Sequence, residues 1–250
     1  MVKEFGLIGK EIGHSFSAEY FNGKFRREGI EAEYRLFELA DIDELPGLLA
    51  AHPDLRGLNV TSPYKRDVIK YLDRISPTAQ EIGAVNTIVV RREADGIVTL
   101  EGHNTDCEGF GRTLEGLHCR RALIMGSGGA AAAVKRALTD RGIESKIASR
   151  TPKEGQISYE EMNALLPFCD LLINATPLGM HHLKDKTPEV DFGKIGSRHL
   201  CYDLIYNPEE TTFLRKARER GAKTKNGLEM LYGQAEAAWE IWNGNGDSDQ

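Results

Sequence analysis

The chain has 250 residues, enough for one large or two modest domains with a core that needs no disulfide or metal support. A formal net charge of −6 argues against nucleic acid as the main partner. No apolar run reaches the ~18 residues of a membrane span, and no basic-then-apolar leader is seen, so a cytoplasmic protein without a membrane partner is expected. The cysteines, at 107, 119, 169 and 201, form no CxxC and have no histidine at zinc-ligand spacing, so they read as reduced thiols and no metal is expected. His181 and His182 are adjacent, rarely point at one ion, and read as loop.

Phe5 to Gly9 reads as a first strand, followed by a loop with His14, Ser15 and Ser17 and a helix from about Glu19 to Glu28. Glu33 to Phe37 alternates as a second strand, and Ile42 to Ala51 repeats apolar residues at helical spacing. Leu55 to Val60 is a third strand, with short helices at Asp67 to Leu72 and Ala79 to Ile82. Ala84 to Val90 is strongly β, with Gly96 to Leu100 as its neighbour across a turn at Glu93 to Asp95. A new unit starts near Asn104. It opens with a helix from Asp106 to Leu117, a buried-type strand at Ala122 to Met125, and an Ala-rich helix at Ala130 to Arg141. Strands at Ser145 to Ser149, Leu171 to Asn174 and His199 to Ile205 alternate with helices at Tyr159 to Leu166 and Thr211 to Arg220. Such a βαβ run predicts a parallel sheet with right-handed crossovers. Leu228, Leu231, Ala235, Ala238, Trp239 and Trp242 mark one face of a last amphipathic helix, and Gly244 to Gln250 reads as a frayed tail. The fold class is α/β.

Two stretches carry chemistry. Gly57-Leu58-Asn59-Val60-Thr61-Ser62-Pro63-Tyr64-Lys65 begins as a strand and becomes a run of hydrogen-bonding groups. It is either the edge of a polar binding site, with Lys65 as a proton-shuttling amine, or a solvated turn. Gly126-Ser127-Gly128-Gly129-Ala130-Ala131 fits G-x-G-x-x-A between a strand and a helix. Small residues there let the backbone approach a pyrophosphate, and the helix N-terminus supplies N–H donors. The next strand ends Ser149-Arg150-Thr151 with Lys153 beyond, and no carboxylate stands where an NAD ribose would be held. Arg150 can pair with a 2′-phosphate and Thr151 and Lys153 can add donors, so NADP is expected over NAD. The bland alternative is a basic surface loop.

These motifs line up with one family. The chain resembles the shikimate dehydrogenases, NADP-dependent enzymes of aromatic amino-acid biosynthesis, over essentially its whole length. Gly57 to Lys65 looks like the family's GxNVTxPxK, Gly83 to Thr87 like GAxNT, and Gly102 to Asp106 with Gly109-Phe110 like GxNTDxxGF. Asn174 to Met180, Tyr206-Asn207-Pro208 with Thr211, and Asn226 to Leu231 with Gln234 also match. Three positions depart in the first loop: Glu11 and Ala18 stand where proline is common, and Phe21 where histidine is usual. Ser149 stands where the family has asparagine, which weakens one cofactor hydrogen bond.

The resemblance implies two domains. Residues 1–103 plus 226–250 would bind substrate, with the C-terminal helix returning to that domain, and 104–225 would form a Rossmann-like NADP-binding domain. It implies reversible NADPH-dependent reduction of 3-dehydroshikimate to shikimate by a monomer or homodimer. Ser15 and Ser17, helped by Tyr206, would hold the carboxylate. Asn59, Thr61, Asn86, Asp106 and Gln234 would hold ring hydroxyls, and Lys65 and Asp106 would form the proton-transfer pair. The cofactor would lie on Gly126, Ser127, Gly128, Gly129, Ala130, Ser149, Arg150, Thr151 and Lys153, with Leu204 and Gly227 near the nicotinamide and Thr176 and Met180 shaping the cleft. The alternatives are a quinate/shikimate dehydrogenase of broader specificity and a catalytically silent NADP-binding sensor. A folate-type dehydrogenase is disfavoured by the serine pair and Tyr206-Asn207-Pro208.

Overall fold

Alternation along the first strand sends Phe5 and Leu7 to one face and Ile8 to the other, so this sheet needs cover on both sides. The computed structural model describes residues 2–13, 15–93 and 96–244. His14, residues 94–95 of the expected hairpin turn, and 245–250 of the expected tail lie outside the described residues. By internal contacts the chain divides into two units, one running to Thr105 and resuming at Ala235, the other Asp106–Gln234.

The first unit contains β1 (Lys3–Gly9), α1 (Ser17–Glu28), β2 (Ala32–Glu38), α2 (Leu45–Ala51), β3 (Leu55–Val60), β4 (Arg74–Ile75), α3 (Pro77–Ile82), β5 (Thr87–Arg92) and β6 (Val98–His103). Its six-stranded sheet runs β2-β1-β3-β5-β6-β4. β1 pairs in parallel with β2 and β3, while β3, β5 and β6 are antiparallel neighbours. Local chemistry sets the helix ends. Ser76 accepts from the Ala79 N–H at 3.3 Å and Pro77 opens α3, while Gly29 and Gly83, both at φ +66°, close α1 and α3 in the left-handed conformation. The helix expected over 42–51 starts as a 3-10 turn, Ile42–Glu44, because Asp41 and Glu44 form a capping box there.

One face of this sheet packs Ile8, Leu45, Leu55, Leu58, Val68 and Ile88. The other packs Phe5, Leu7, Phe21, Phe25 and Tyr34 against Trp239 and Trp242 of the C-terminal helix, α8 (Leu228–Trp242). The Trp242 indole donates to the Ile88 carbonyl at 3.0 Å and fills the place where a Cβ on Gly57 would stand. Lys24 of α1, nearly buried, donates to Glu236 at 2.9 Å, and the Tyr20 hydroxyl donates to the same carboxylate. The end of α8 is therefore fastened to α1 by charge as well as by aromatic burial.

The second unit contains α4 (Thr105–Arg112, counted from Asp106), β7 (Arg121–Met125), α5 (Gly129–Asp140), β8 (Glu144–Ala148), β9 (Gln156–Ile157), α6 (Tyr159–Leu165), β10 (Leu171–Asn174), β11 (Leu200–Asp203), α7 (Thr212–Glu219) and β12 (Lys223–Lys225). Its six strands run β12-β11-β10-β7-β8-β9, all parallel, as the βαβ alternation requires. Strand order reverses between β7 and β10, the place where open α/β sheets bind ligands. Residues 226–234 group with this unit: Gly227 N–H donates to the Ile205 carbonyl at 3.0 Å, and Gly109 lies against the backbone of Met230 and Gln234.

β11 covers only Leu200–Asp203 of the expected His199 to Ile205, and two further elements differ from what the sequence suggests. The strand expected from Ala84 begins at Thr87, because Val85 N–H donates to the Lys65 carbonyl and the Ala84 carbonyl accepts from Asn104 instead of a strand. The helix expected to reach Leu117 ends at Arg112, where the Thr113 hydroxyl donates to the Phe110 carbonyl at 2.7 Å and i→i+3 bonds tighten the chain. All four cysteines are free. Burial pushes the Cys107, Cys169 and Cys201 thiols up to about 12, so they are inert at neutral pH.

Candidate active site

In the first unit the polar run ends β3 and turns at once. Asn59 is the penultimate residue of β3 and is buried. Its Nδ2 donates to the Asn86 carbonyl (3.3 Å) and the Thr87 hydroxyl (3.2 Å), and its Oδ1 accepts from the Tyr34 hydroxyl at 2.7 Å. Thr61 is pinned by its own N–H to the Ile8 carbonyl and by Tyr64 N–H on its carbonyl. Lys65 is half-buried on the following turn, whose Ser62–Pro63 peptide is cis. Its backbone is fixed by Val85 N–H, and Tyr64 beside it donates to the Leu39 carbonyl at 2.8 Å.

Asn86 is more committed than a ligand-binding amide need be. Its Oδ1 accepts from Thr105 N–H at 2.7 Å, which starts α4, and its Nδ2 donates to the Thr105 hydroxyl at 3.0 Å. The Asn86 and Asn59 side chains are thus joined through Thr87 and Thr105. Ser15 and Ser17 sit at the start of α1, where the Ser15 hydroxyl accepts from Ser17 N–H at 3.3 Å. The N-cap residue, Phe16, offers no side-chain cap, and the helix presents its positive dipole there, a suitable place for a carboxylate.

In the second unit Asp106 is buried in the first turn of α4. Gln234 is half-buried on α8 and donates to the Leu231 carbonyl at 3.0 Å. Without a side chain at Gly109 the two helices touch backbone to backbone, since a Cβ there would lie 2.6 Å from Gln234 N. Tyr206 is half-buried in the loop after β11.

The glycine loop leaves β7 where the strand order reverses. Gly126 has φ +105°, and a Cβ there would also press on the Ala175 carbonyl at 2.9 Å, so glycine is required twice over. Gly128 precedes α5 in extended conformation, and a Cβ there would meet nothing within 4 Å. The space in front of α5 is therefore open, and no side chain caps its first-turn N–H groups. Gly129 and Ala130 follow as the first residues of α5. Ser149 departs from the family pattern yet keeps a job: its hydroxyl meets Ser127 Oγ at 3.4 Å and accepts from Thr151 N–H at 3.3 Å. Arg150, Thr151 and Lys153 are exposed beside it. A dinucleotide with a 2′-phosphate fits this set: backbone donors for a pyrophosphate and cations for the extra charge.

The buried carboxylate of Asp203, at the end of β11, belongs to no motif that marks it in the sequence. It accepts from Thr211 Oγ1 (2.6 Å), Ile205 N–H (3.0 Å) and Asn174 Nδ2 (3.1 Å). Asn174 in turn accepts from Thr176 N–H, so the loops after β10 and β11 share one network. Leu204, half-buried, follows Asp203 and sits against Gly227, where a Cβ would overlap its carbonyl. Burial pushes the Asp203 carboxyl up to about 6 from 3.8, against the three hydrogen bonds it receives. A raised folded value means that stability is greatest below the unfolded value and is lost as pH rises towards the folded one. That loss amounts to roughly 3 kcal/mol between pH ~4 and ~7. Asp203→Asn abolishes this titration. Urea unfolding of both proteins across that range is expected to show the variant gaining on the wild type as pH rises, and a constant difference would refute the assignment.

Tyr34, Thr87 and Thr105 also join the site without having been expected there as functional residues. Thr87 and Thr105 lie inside the GAxNT and GxNTDxxGF matches, which was the available signal. Tyr34 lies in no motif.

A family model described as the shikimate dehydrogenase substrate binding domain matches residues 7–88. The shikimate dehydrogenase (NADP(+)) of Clostridium beijerinckii is 40% identical over 254 residues, spanning 95% of this chain and 91% of that protein. That of Caldanaerobacter subterraneus subsp. tengcongensis is 38% identical over 265 residues, spanning 97% and 92%. The crystal structure of shikimate 5-dehydrogenase from Thermus thermophilus in complex with NADP(H) and shikimate is 32% identical, covers 97% of this chain and 94% of that one, and has a TM-score of 0.85. Identity of this depth across both units, on one fold, is decisive: the chain belongs to the shikimate dehydrogenase family.

Proposed function

We propose that this protein catalyses the reversible NADPH-dependent reduction of 3-dehydroshikimate to shikimate, the step its family supplies to aromatic amino-acid biosynthesis. The observation that carries this is the near-full-length match to shikimate dehydrogenases, one of them solved with NADP(H) and shikimate. NADPH, when bound, supplies the hydride. We assign it to the second unit, on the Gly126–Ala130 loop, with Ser149, Arg150, Thr151 and Lys153 at the 2′-phosphate and Leu204 and Gly227 at the nicotinamide. We assign substrate to a domain of residues 1–103 plus 226–250, which takes in the whole returning helix and so extends past the first unit's resumption at Ala235.

Ser15 and Ser17 bind the substrate carboxylate at the start of α1, with Tyr206 as a third donor. Asn59, Thr61, Asn86, Asp106 and Gln234 hold the ring hydroxyls. A site built from so many polar groups rejects analogues that leave one of them unpaired. As charge develops on the carbonyl oxygen, the Lys65 ammonium stabilises it and gives up a proton. In the oxidative direction neutral Lys65 takes the proton back, and Asp106 binds the same hydroxyl and orients the amine. We place the enzyme in the cytoplasm, which its free thiols suit. Among the described residues no helix is long and apolar enough to cross a membrane.

The test is NADP+ reduction with shikimate, quinate and a buffer blank. Turnover with shikimate at higher kcat/KM than with quinate is expected; equal values would establish the broader quinate/shikimate activity, and no turnover despite NADPH binding would establish a silent sensor. The cofactor assignment has its own test. Removal of one charge-assisted contact in Arg150→Ala is expected to raise KM for NADP+ by about 10- to 100-fold and leave KM for NAD+ nearly unchanged. Equal effects on both cofactors would remove Arg150 from the 2′-phosphate.

A further inference from the structure

We propose that Tyr34 is a positioning residue for substrate binding, its hydroxyl fixing the Asn59 amide at the end of β3. The inference rests on the reading of Asn59 as a substrate contact.

Tyr34 sits on β2 and is held at three points. Asn22 of α1 clamps its backbone, donating to the Tyr34 carbonyl and accepting its N–H, both at 2.9 Å. Its ring stacks on Phe21 with centroids 4.6 Å apart and planes within 11°. Phe21 is the residue that replaces the family's usual histidine. The ring tip reaches Asn59 Oδ1 at 2.7 Å, and the whole side chain is buried. Held at backbone, ring and tip, the hydroxyl has one place to be.

Its proton then fixes what Asn59 offers. Both N–H bonds of the Asn59 amide are committed, to the Asn86 carbonyl and to Thr87. The Tyr34 proton takes one lone pair of Oδ1. The capacity left to Asn59 is the second lone pair, so towards a ligand it is an acceptor and selects a hydroxyl. Burial pushes the phenol well above its ordinary pKa, so it keeps its proton and stays the donor to Asn59.

Tyr34→Phe removes the oxygen alone. Losing one hydrogen bond's worth of orientation, it is expected to raise KM for shikimate by about tenfold. kcat should stay within about twofold and KM for NADP+ should not move, a split that general loosening of the fold would not give. Added to Asn59→Ala, the same change should have little further effect, because the group it positions is gone. An unchanged KM in Tyr34→Phe, with KM raised in Asn59→Ala and Ser17→Ala, overturns the role of Tyr34 and spares the site reading. Unchanged KM in Asn59→Ala overturns the site reading itself. A ring-fluorinated tyrosine at this position keeps the shape and strengthens the donor. Its KM is expected to be no higher than the wild type's, and a tenfold rise there would overturn the role of the hydroxyl as donor.

Discussion

Lys65→Ala is expected to lower kcat by roughly two to four orders of magnitude, the range typical of a lost general acid–base group. The Kd for shikimate should change by less than about tenfold, since one amine is a small part of a ring held by many donors and acceptors. The structure favours this division. The Lys65 backbone is anchored by Val85 N–H at 2.7 Å, and its neighbour Tyr64 is buried and tied to Leu39. Truncation at Lys65 removes the amine while the backbone bonds of the turn that carries Thr61 remain. The bonds that tie Asn59 to Tyr34 and Thr87, and Asn86 to Thr105, do not pass through the Lys65 side chain and survive the change. Single-turnover hydride transfer with bound shikimate, beside equilibrium binding of shikimate, separates the two quantities. A near-normal kcat would end the role of Lys65 in proton transfer, and a kcat preserved with a much weaker Kd would make it a binding residue only. Lys65→Arg sharpens the comparison: it keeps the charge but cannot give up a proton near neutral pH, so it is expected to fail almost as badly.

What can be read from the sequence follows a physical pattern. Strands β3 and β10 have the ends expected of them, and α5 lies within one residue at each, because local periodicity and small-residue punctuation decide them. The edge strands β4, β9 and β12 are invisible to pattern: two or three residues contain no period, and each exists only because a neighbouring strand offers a ladder. The ends of β5 and α4 differ from expectation because Lys65, Asn104 and Thr113 compete for backbone groups, and such competition is decided by tertiary contacts. The same distinction holds for the site. Gly126 and Gly128 are legible, since a glycine turn between strand and helix is a local event. The roles of Tyr34 and Asp203 are not. A tyrosine in an alternating strand and an aspartate closing another look ordinary until chain segments 25 and 29 residues away supply Asn59 and Asn174. Asn86 reads as a ligand by resemblance. Its bonds to Thr105 add a structural duty that no motif announces.

Gly227→Ala is expected to be the most damaging small substitution in the second unit. A Cβ there would overlap the carbonyl oxygen and carbon of Leu204, and both sides of that contact are backbone, so no side chain can swing away. Neither side is free to retreat. Leu204 N–H donates to the Asn174 carbonyl at 3.0 Å, and the residues flanking it are tied through the Asp203 carboxylate. Gly227 N–H donates to Ile205, and its carbonyl accepts from Leu231 in the first turn of α8. Relief requires the chain to move by about an ångström and to break the Gly227–Ile205 bond, a cost of about 3 kcal/mol at the upper end of overpacking. The proposed position of Leu204 beside the nicotinamide converts the same shift into lost rate, on the order of a hundredfold in kcat for a misplacement of that size. Gly47→Ala is the control. Gly47 lies in α2, and a Cβ added there would meet nothing within 4 Å. Alanine at that position should stabilise by about 0.5–1 kcal/mol and leave kcat alone. Urea midpoints and kcat for the two variants decide the matter. If Gly227→Ala is as stable and active as Gly47→Ala, the two backbones can part without cost, and the absence of a side chain at 227 has nothing to do with holding Leu204 in place.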